Sequence, residues 1–476
     1  MNNLYTDTIV APATTPGTGA ISIVRTSGPD CFKIVDAVVK INSTSISKAS
    51  GYTIHYGDVY LPDGKLLDEV LVSVYRAPHS YTGEDSVEIS THASSYIVNE
   101  LVHLLTEAGA RFAEPGEFTR RAFLNGKMDL AQAEAVADVI SSTTSASHRV
   151  AMNQLKGSFS KELEELREQL LEMASLLELE LDFSEEDVKF APREKLLELT
   201  EKTVSHTEKL SSSFRQGNMI KNGVPVAIIG AANAGKSTLL NALLGEDRAI
   251  VSDIPGTTRD TIEETLNIGG ILFRFIDTAG IRASEDSIEK LGIERTFRKI
   301  SEAETVLALV DISENEFDLL KNIQSIFEHV GQSNQKLFIL LNKTDKIGPL
   351  EYNKNVTIIN SFVSSSNNKA DIIELSAKTG EGLDKLKEAL YKSENGLIAN
   401  ADSTFVTNIR HYEALVQATS ALRQVHASLL SGTPTYLVAE DLRNALLSIN
   451  LILGKDLNLD AETILHRIFQ SHCIGK

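Results

Sequence analysis

The stretch from Val224 to Thr238 constrains this chain more than any other. Val224–Ile229 is an apolar, β-branched run that reads as a buried strand, and Leu239 and Leu240 continue a helix beyond it. Between them Gly230, Gly235, Lys236 and Ser237 stand at the spacing G-x-x-x-x-G-K-[ST]. The spacing has a physical cause. Glycine lets the backbone approach a phosphate closely, so the N–H groups of Asn233, Ala234, Gly235, Lys236, Ser237 and Thr238 can close round it. Lys236 reaches the outer phosphate oxygens, and the Ser237 hydroxyl suits Mg²⁺. Strand, loop and helix together read as a nucleotide phosphate site.

At 476 residues the chain has room for about three domains, each with its own core. Cys31 and Cys473 lie at opposite ends and give neither a disulfide framework nor zinc spacing. Residues 1–7 lack the basic and apolar regions of a leader, and no apolar run is long enough to span a bilayer, so the expectation is a cytoplasmic protein with no membrane partner. The net charge of −19 argues against nucleic-acid binding over the whole surface. Any RNA contact is confined to a local patch or shared with a more basic partner.

The expected fold class is α/β and all-α, in several domains. Residues 1–119 read as an α/β domain, with strands at Asp7–Pro12, Ala20–Arg25, Tyr52–Tyr60, Glu69–Tyr75 and Ser86–Ser90 and a helix at Ile97–Leu105. Residues 120–217 turn helical: Leu163, Leu166, Leu170, Met173 and Leu177 step by threes and fours, the seam of a bundle. The acidic group Asp182, Glu185, Glu186 and Asp187 reads as a solvated surface rather than a cation site. Residues 218–384 alternate strand and helix, the plan of a doubly wound sheet, with strands at Val224–Ile229, Ile271–Ile276, Thr305–Val310, Leu337–Leu341 and Ile372–Leu375. Residues 385–476 are helical again, with Leu415, Leu422 and Leu429, then Leu442, Leu446, Ile449 and Leu453. The simplest architecture is one helical domain built from both flanks, with the nucleotide domain inserted into it.

Four further motifs choose the nucleotide. Ser252, Asp253, Ile254, Pro255, Gly256, Thr257 and Thr258 form a loop whose Thr258 offers a second hydroxyl to Mg²⁺. Asp277, Thr278, Ala279 and Gly280 follow a strand, so the acid can hold the metal through water and the glycine N–H can sense the γ-phosphate. Asn342, Lys343 and Asp345 follow another strand; the Asp345 carboxylate can accept from guanine N1–H and N2–H₂, a pair of donors adenine lacks. Ser376, Ala377 and Lys378 support the base from the other side. In this order the motifs select GTP over ATP, and here the chain resembles the translation-factor-like GTPases. Ile281 occupies the position where Ras-type proteins place a water-orienting glutamine. Glu285, Asp286 and Glu289 are the nearby carboxylates, while Arg259 and Arg282 read as structural. A bound monovalent cation would offset the developing charge equally well.

Outside this core the chain resembles the MnmE (TrmE) family of tRNA-modifying GTPases. The resemblance is carried by Asp7–Ala11, Gly19–Arg25, Ser80–Asp85, Pro115–Leu130, Gln132–Ile140, Asp182–Asp187 and the terminal Ile468–Lys476. It covers essentially the whole chain and departs at Thr18 and at His92, Ala93 and Ser94. The family implies an N-terminal folate-binding domain that also forms a homodimer. It implies an FAD-dependent partner subunit in a heterotetramer, which adds a carboxymethylaminomethyl-type group at C5 of the wobble uridine of certain tRNAs. A 5-formyl- or 5,10-methylene-tetrahydrofolate supplies the one-carbon unit. By the same resemblance Arg25, Glu84, Lys127 and Lys476 would contact the folate. Asn233, with Ser252, Ile254 and Thr257, would hold K⁺, and Glu289 would orient the attacking water. Cys473 matches the family's terminal cysteine and reads as a packed thiol. The competing class is a GTP-driven switch acting on the ribosome without covalent chemistry. The flanks discriminate, because such a switch has no use for Arg25, Glu84, Lys127 and the Cys-Ile-Gly-Lys terminus.

Overall fold

The computed structural model describes residues 6–41, 45–182, 193–246, 264–276, 302–330, 335–365, 369–399, 404–455 and 475. The chain forms two compact units. One holds residues 1–141, 154–207 and 413–476; the other holds 142–153 and 208–412.

The first unit opens with β1 (Ile9–Pro12), β2 (Ile21–Ser27), α1 (Cys31–Val38), β3 (Val39–Ile41), β4 (Thr53–Tyr60), β5 (Leu66–Tyr75), β6 (Ser86–His92), α2 (Ser95–Glu107) and β7 (Arg111–Phe112). They make a sheet ordered β3-β4-β5-β6-β2-β1-β7, antiparallel except for the β1–β7 pair. Strand alternation decides the two faces. Val70, Val72 and Val74 of β5 and Val87 and Ile89 of β6 point into a core with Ile34 and Val35 of α1 and Leu101 and Leu105 of α2. Ile9 and Ala11 point the other way and are covered by Phe118 of α3 (Glu117–Leu124). Farther along that face Ile54 and Leu71 stay 68% and 49% exposed.

The rest of this unit is helical: α4 (Leu130–Ser141), the last two residues of α5 (Ser145–Leu155), which otherwise belongs to the second unit, α6 (Ser158–Asp182), and α7 (Arg193–Ser212), which runs on into the second unit. The expected seam of α6 is buried at every position. It packs against the last described helix of the chain, Thr435–Leu453, where Arg167 Nε donates to Asn450 Oδ1 at 2.9 Å. The two flanks therefore share one core. One seam position differs from expectation: Leu446 is only half-buried, and its neighbour Ala445 is fully buried.

The second unit carries α8 (Phe214–Asn222), β8 (Val224–Gly230), α9 (Lys236–Glu246), β9 (Glu264–Ile268), β10 (Ile271–Phe275), β11 (Thr305–Asp311), α10 (Glu316–Val330), β12 (Lys336–Asn342), α11 (Pro349–Ser365), β13 (Ala370–Glu374) and α12 (Leu383–Ala399). Two helices of the first unit close the count, α13 (Ile409–Ser431), which starts in the second, and α14 (Thr435–Leu453). The sheet order is β13-β12-β11-β8-β10-β9, parallel apart from the β10–β9 edge. One face packs Leu239, Leu243, Leu386 and Leu390 of α9 and α12; the other packs Leu319, Ile323 and Ile359 of α10 and α11. Helices on both faces make the sheet doubly wound.

Two features go beyond the expected plan. β9 joins β10 through Gly269 and Gly270, both at positive φ, in a two-residue hairpin. The helix α12 packs on this sheet although the sequence reading closes the nucleotide domain at 384. Its leucines mark one apolar face, and a face does not name the surface that will cover it. No helix among the described residues is long and apolar enough to cross a membrane.

Candidate functional site

The phosphate loop lies where β8 ends and α9 begins, at the carboxyl edge of the sheet. Its glycines are required by contact as well as by conformation. Gly230, at φ 150°, has no room for a Cβ, which would lie 2.5 Å from the Leu309 carbonyl. Gly235, at φ 101°, would place one 2.4 Å from Asn342 Nδ2. Asn233 adopts φ 60°, a left-handed conformation that Asn tolerates better than most residues, and its side chain is exposed. Lys236 Nζ donates to the carbonyls of Gly230 at 2.9 Å and Ala231 at 2.8 Å, which curls the loop over its own ammonium. Ser237 and Thr238 stand exposed in the first turn of α9, where backbone N–H groups have no helical acceptor.

Two loops from distant strands meet this one. Asn342, at the end of β12, donates from Nδ2 to the Ala234 carbonyl at 2.7 Å and accepts from the Ala377 N–H at 2.9 Å. One buried amide thus ties the phosphate loop to the Ser376–Lys378 loop. Ser376 in turn donates to Asp345 Oδ1 at 2.7 Å. That hydroxyl, chiefly, holds the Asp345 carboxyl below its ordinary range, with the charge of Lys378 adding to it. Asp345 is therefore an exposed, ionised acceptor held in one place. Lys343 sits at φ 69° and pairs with Asp311 at the end of β11. Burial raises the Asp311 pKa, but Lys343 and Ser313 outweigh it and the net shift is downward. Phosphate loop, paired-acceptor carboxylate and supporting loop form one continuous edge able to hold a purine nucleotide. Residues 252–258 and 277–280, Arg259, Arg282, Glu285, Asp286 and Glu289 lie outside the described residues, as do Cys473 and Lys476.

A second constellation forms in the N-terminal sheet. Arg25 of β2 pairs with Glu88 of β6 (2.8 Å), lies over the rings of Tyr81 and Phe118, and donates to the Gly475 carbonyl at 3.3 Å. Gly475 lies against β1: at φ 95°, a Cβ there would lie 2.0 Å from the Pro12 carbonyl. Glu84 Oε2 accepts from Ser27 Oγ at 2.8 Å, two residues along β2 from Arg25. Gly83 packs on Lys127, whose Nζ donates to the Pro78 carbonyl at 3.0 Å. Arg25, Glu84 and Lys127 are thus brought to one locality, with the residue before Lys476 beside them. Arg25 is already engaged by Glu88 and by the Gly475 carbonyl.

Sequence reasoning passed over the charges behind this locality. Arg121 and Glu117 of α3 are both fully buried, and they join Asp7, Arg111 and Glu84 in one network. The only signal was an acid and a base four apart in a helix whose Phe118 and Ala122 face the core. Cys31 is buried against Thr26 Oγ1, and burial pushes its thiol up to about 12, so it is inert. Among the described residues no group of three or more metal-binding side chains occurs.

Comparison with known proteins adds relatives along the whole chain. Residues 8–127 match the family described as GTP-binding protein TrmE N-terminus, and residues 130–473 match the MnmE helical domain. The chain is 49% identical over 477 residues to a tRNA modification GTPase MnmE of Christiangramia forsetii, covering 99% of each chain. It is 47% identical over 472 residues to the protein of that name from Bacteroides thetaiotaomicron, again covering 99% of each. For the one from Porphyromonas gingivalis the identity is 45% over 482 residues, covering 100% of this chain and 99% of the other.

Proposed function

The chain belongs to the MnmE (TrmE) family of tRNA modification GTPases, and we propose from that premise how its parts divide the work. It is a GTP-hydrolysing enzyme that acts in tRNA modification, binding GTP with Mg²⁺. The observation that carries the nucleotide reading is Asn342, which links the phosphate loop to the loop that holds Asp345. Asp345 accepts from the guanine N1–H and N2–H₂, and Ala377 and Lys378 flank the base. Ser237 and Thr258 supply the hydroxyls for Mg²⁺, and Lys236 leaves its carbonyl partners for the phosphate oxygens.

Hydrolysis needs the developing charge offset and the water held. K⁺ offsets the charge, bound by Asn233, Ser252, Ile254 and Thr257 as two GTPase domains pair. The left-handed, exposed Asn233 supports that assignment, since its amide oxygen is not committed to an interaction within the loop. Glu289 orients the water that Ile281 cannot. In the N-terminal domain a tetrahydrofolate supplies a one-carbon unit when bound. Arg25 and Lys127 meet its carboxylates, Glu84 meets the paired donors of the pterin, and Lys476 closes the site beside Gly475. The cluster of the first three about β2 supports this reading.

The modification itself places a carboxymethylaminomethyl-type group at C5 of the wobble uridine, U34, with an FAD-dependent partner subunit in a heterotetramer. Homodimer formation through the N-terminal sheet is supported by its bare apolar face, where Ile54, Tyr56 and Leu71 line up on adjacent strands. The test is nucleoside mass spectrometry of tRNA from cells lacking the gene. The wobble-uridine modification should disappear; its survival at normal abundance would defeat the proposal.

A further inference from the structure

We propose that Arg121 is a positioning residue for Glu84, fixing the carboxylate that meets the pterin; the inference rests on the folate reading above. Arg121 is 0% exposed, in the middle of α3. A guanidinium removed from water must be satisfied by the protein or not be there. Its Nη1 donates to the Asp7 carbonyl at 2.9 Å and lies 3.4 Å from each Glu84 oxygen. Its Nη2 donates to Asp7 Oδ1 at 2.8 Å and to Glu117 Oε1 at 3.0 Å. Glu117 is itself locked, accepting from Arg111 and from the Glu114 N–H at 2.8 Å. The plane of the Arg121 guanidinium is therefore set by groups that do not touch the ligand locality. Its Nη1 is thereby turned toward Glu84.

Glu84 needs such a fixture. Recognition of two parallel N–H donors requires both carboxylate oxygens in the plane of the donors, and the terminal torsion of a glutamate is otherwise broad. Ser27 donates to Oε2 from one side, and its hydroxyl is backed by Thr82 at 2.7 Å. The Glu84 N–H closes the circuit on Thr82 Oγ1 at 3.2 Å. Arg121 then faces both oxygens from behind at equal distance. At 3.4 Å these are long contacts, so the guanidinium contributes orientation and charge more than a strong hydrogen bond. The Glu84 side chain keeps 10% exposure while Glu117 keeps none, so the outward lone pairs of Glu84 remain available. A carboxylate fixed in advance loses little freedom when the ligand arrives.

The experiment is calorimetric titration of the full-length protein with two probes: 5-formyltetrahydrofolate and its 2-desamino-2-methyl analogue, which lacks the exocyclic donor. Arg121→Lys keeps the charge but not the planar fork, and it should weaken the first probe about tenfold while leaving the analogue within about twofold. In a Glu84→Gln background the same substitution should add almost nothing, because the two act as one unit. Asp7→Asn, which disturbs the same guanidinium from the surface, should repeat the selective loss on a smaller scale and stands in should Arg121→Lys not fold. Equal weakening of both probes, or additive losses with Glu84→Gln, would overturn the role of Arg121 while leaving the folate site intact. A wild-type protein that binds neither probe would overturn the folate reading and this inference with it.

Discussion

At the scale of single residues, the site depends on atoms with no alternative position. Asp345 accepts from Ser376 and is kept ionised by it, so its remaining lone pairs are the acceptors that the proposed guanine would meet. Asp345→Asn replaces one acceptor with a donor. GTP affinity should fall by about two orders of magnitude or more, while xanthosine triphosphate, which has a carbonyl where guanine has its amino group, should gain. Competition with a fluorescent guanine nucleotide reads both, and undiminished GTP binding would remove Asp345 from the base. Gly475 is constrained more tightly still. Its backbone lies at φ 95°, and a methyl group would lie 2.0 Å from the Pro12 carbonyl. Gly475→Ala should expel the terminal turn from β1, take Lys476 with it, and weaken 5-formyltetrahydrofolate more than tenfold, by about 1.4 kcal/mol or more. GTP hydrolysis in the same sample should be unchanged.

At the scale of elements, α3 is a helix held to its sheet by charge. Burial alone would raise the Glu117 pKa, but Arg111, the Glu114 N–H and Arg121 outweigh it, and the net shift is downward. A carboxyl whose folded pKa lies below its unfolded value of about 4.3 contributes stability that is complete above that value. The contribution is lost as the pH falls toward and through the folded value. Amide exchange in β1 and α3 should therefore accelerate on acidification below about pH 4. Glu117→Gln should reduce that acid dependence to the part that Asp7 contributes and cost about 3 kcal/mol or more at neutral pH, because it leaves two guanidinium groups short of a partner. The seam between α6 and α14 is held by apolar packing instead. Leu170→Ala removes a fully buried side chain from it and should cost about 2–5 kcal/mol. Exchange should quicken in both helices together; protection of α14 unchanged would mean that the two flanks do not share a core.

At the scale of the whole molecule, a hydrolytic domain is inserted in a helical one, and the helical one shares a compact unit with the N-terminal sheet. In the function proposed above, the nucleotide state acts on chemistry held elsewhere in the chain. Its proposed trigger is a monovalent cation. Hydrolysis should run much faster in KCl than in NaCl at equal ionic strength, and equal rates in the two salts would sink the K⁺ assignment. Glu289→Ala should abolish turnover while nucleotide affinity, measured by titration, stays close to wild type. Unchanged turnover would move water orientation to another group.

What the chain's order alone determined is whatever physics acts over a few residues. The phosphate loop, the β-branched runs of β8, β11 and β12, the alternation in β5 and the three-four stepping of α6 are local periods and spacings, and each was legible at close to its observed bounds. The hairpin through Gly269 and Gly270, and β9 with it, was not anticipated. Only the tertiary structure decided which surface covers which. The pattern of α12 did not say that it packs on the nucleotide sheet, and the seams of α6 and α14 did not say that they meet. Nothing in the spacing of Asn342 revealed that its amide would join two loops, or in Arg120-Arg121 that the second arginine would lie wholly buried among carboxylates. Burial and pairing are set by residues far away in the chain, and a buried charge is stable only when all its partners have arrived. Asn233 could be picked out from its loop, and Arg25 and Glu84 from the family resemblance; that Glu88 pairs with Arg25 and Ser27 with Glu84 could be seen only in three dimensions.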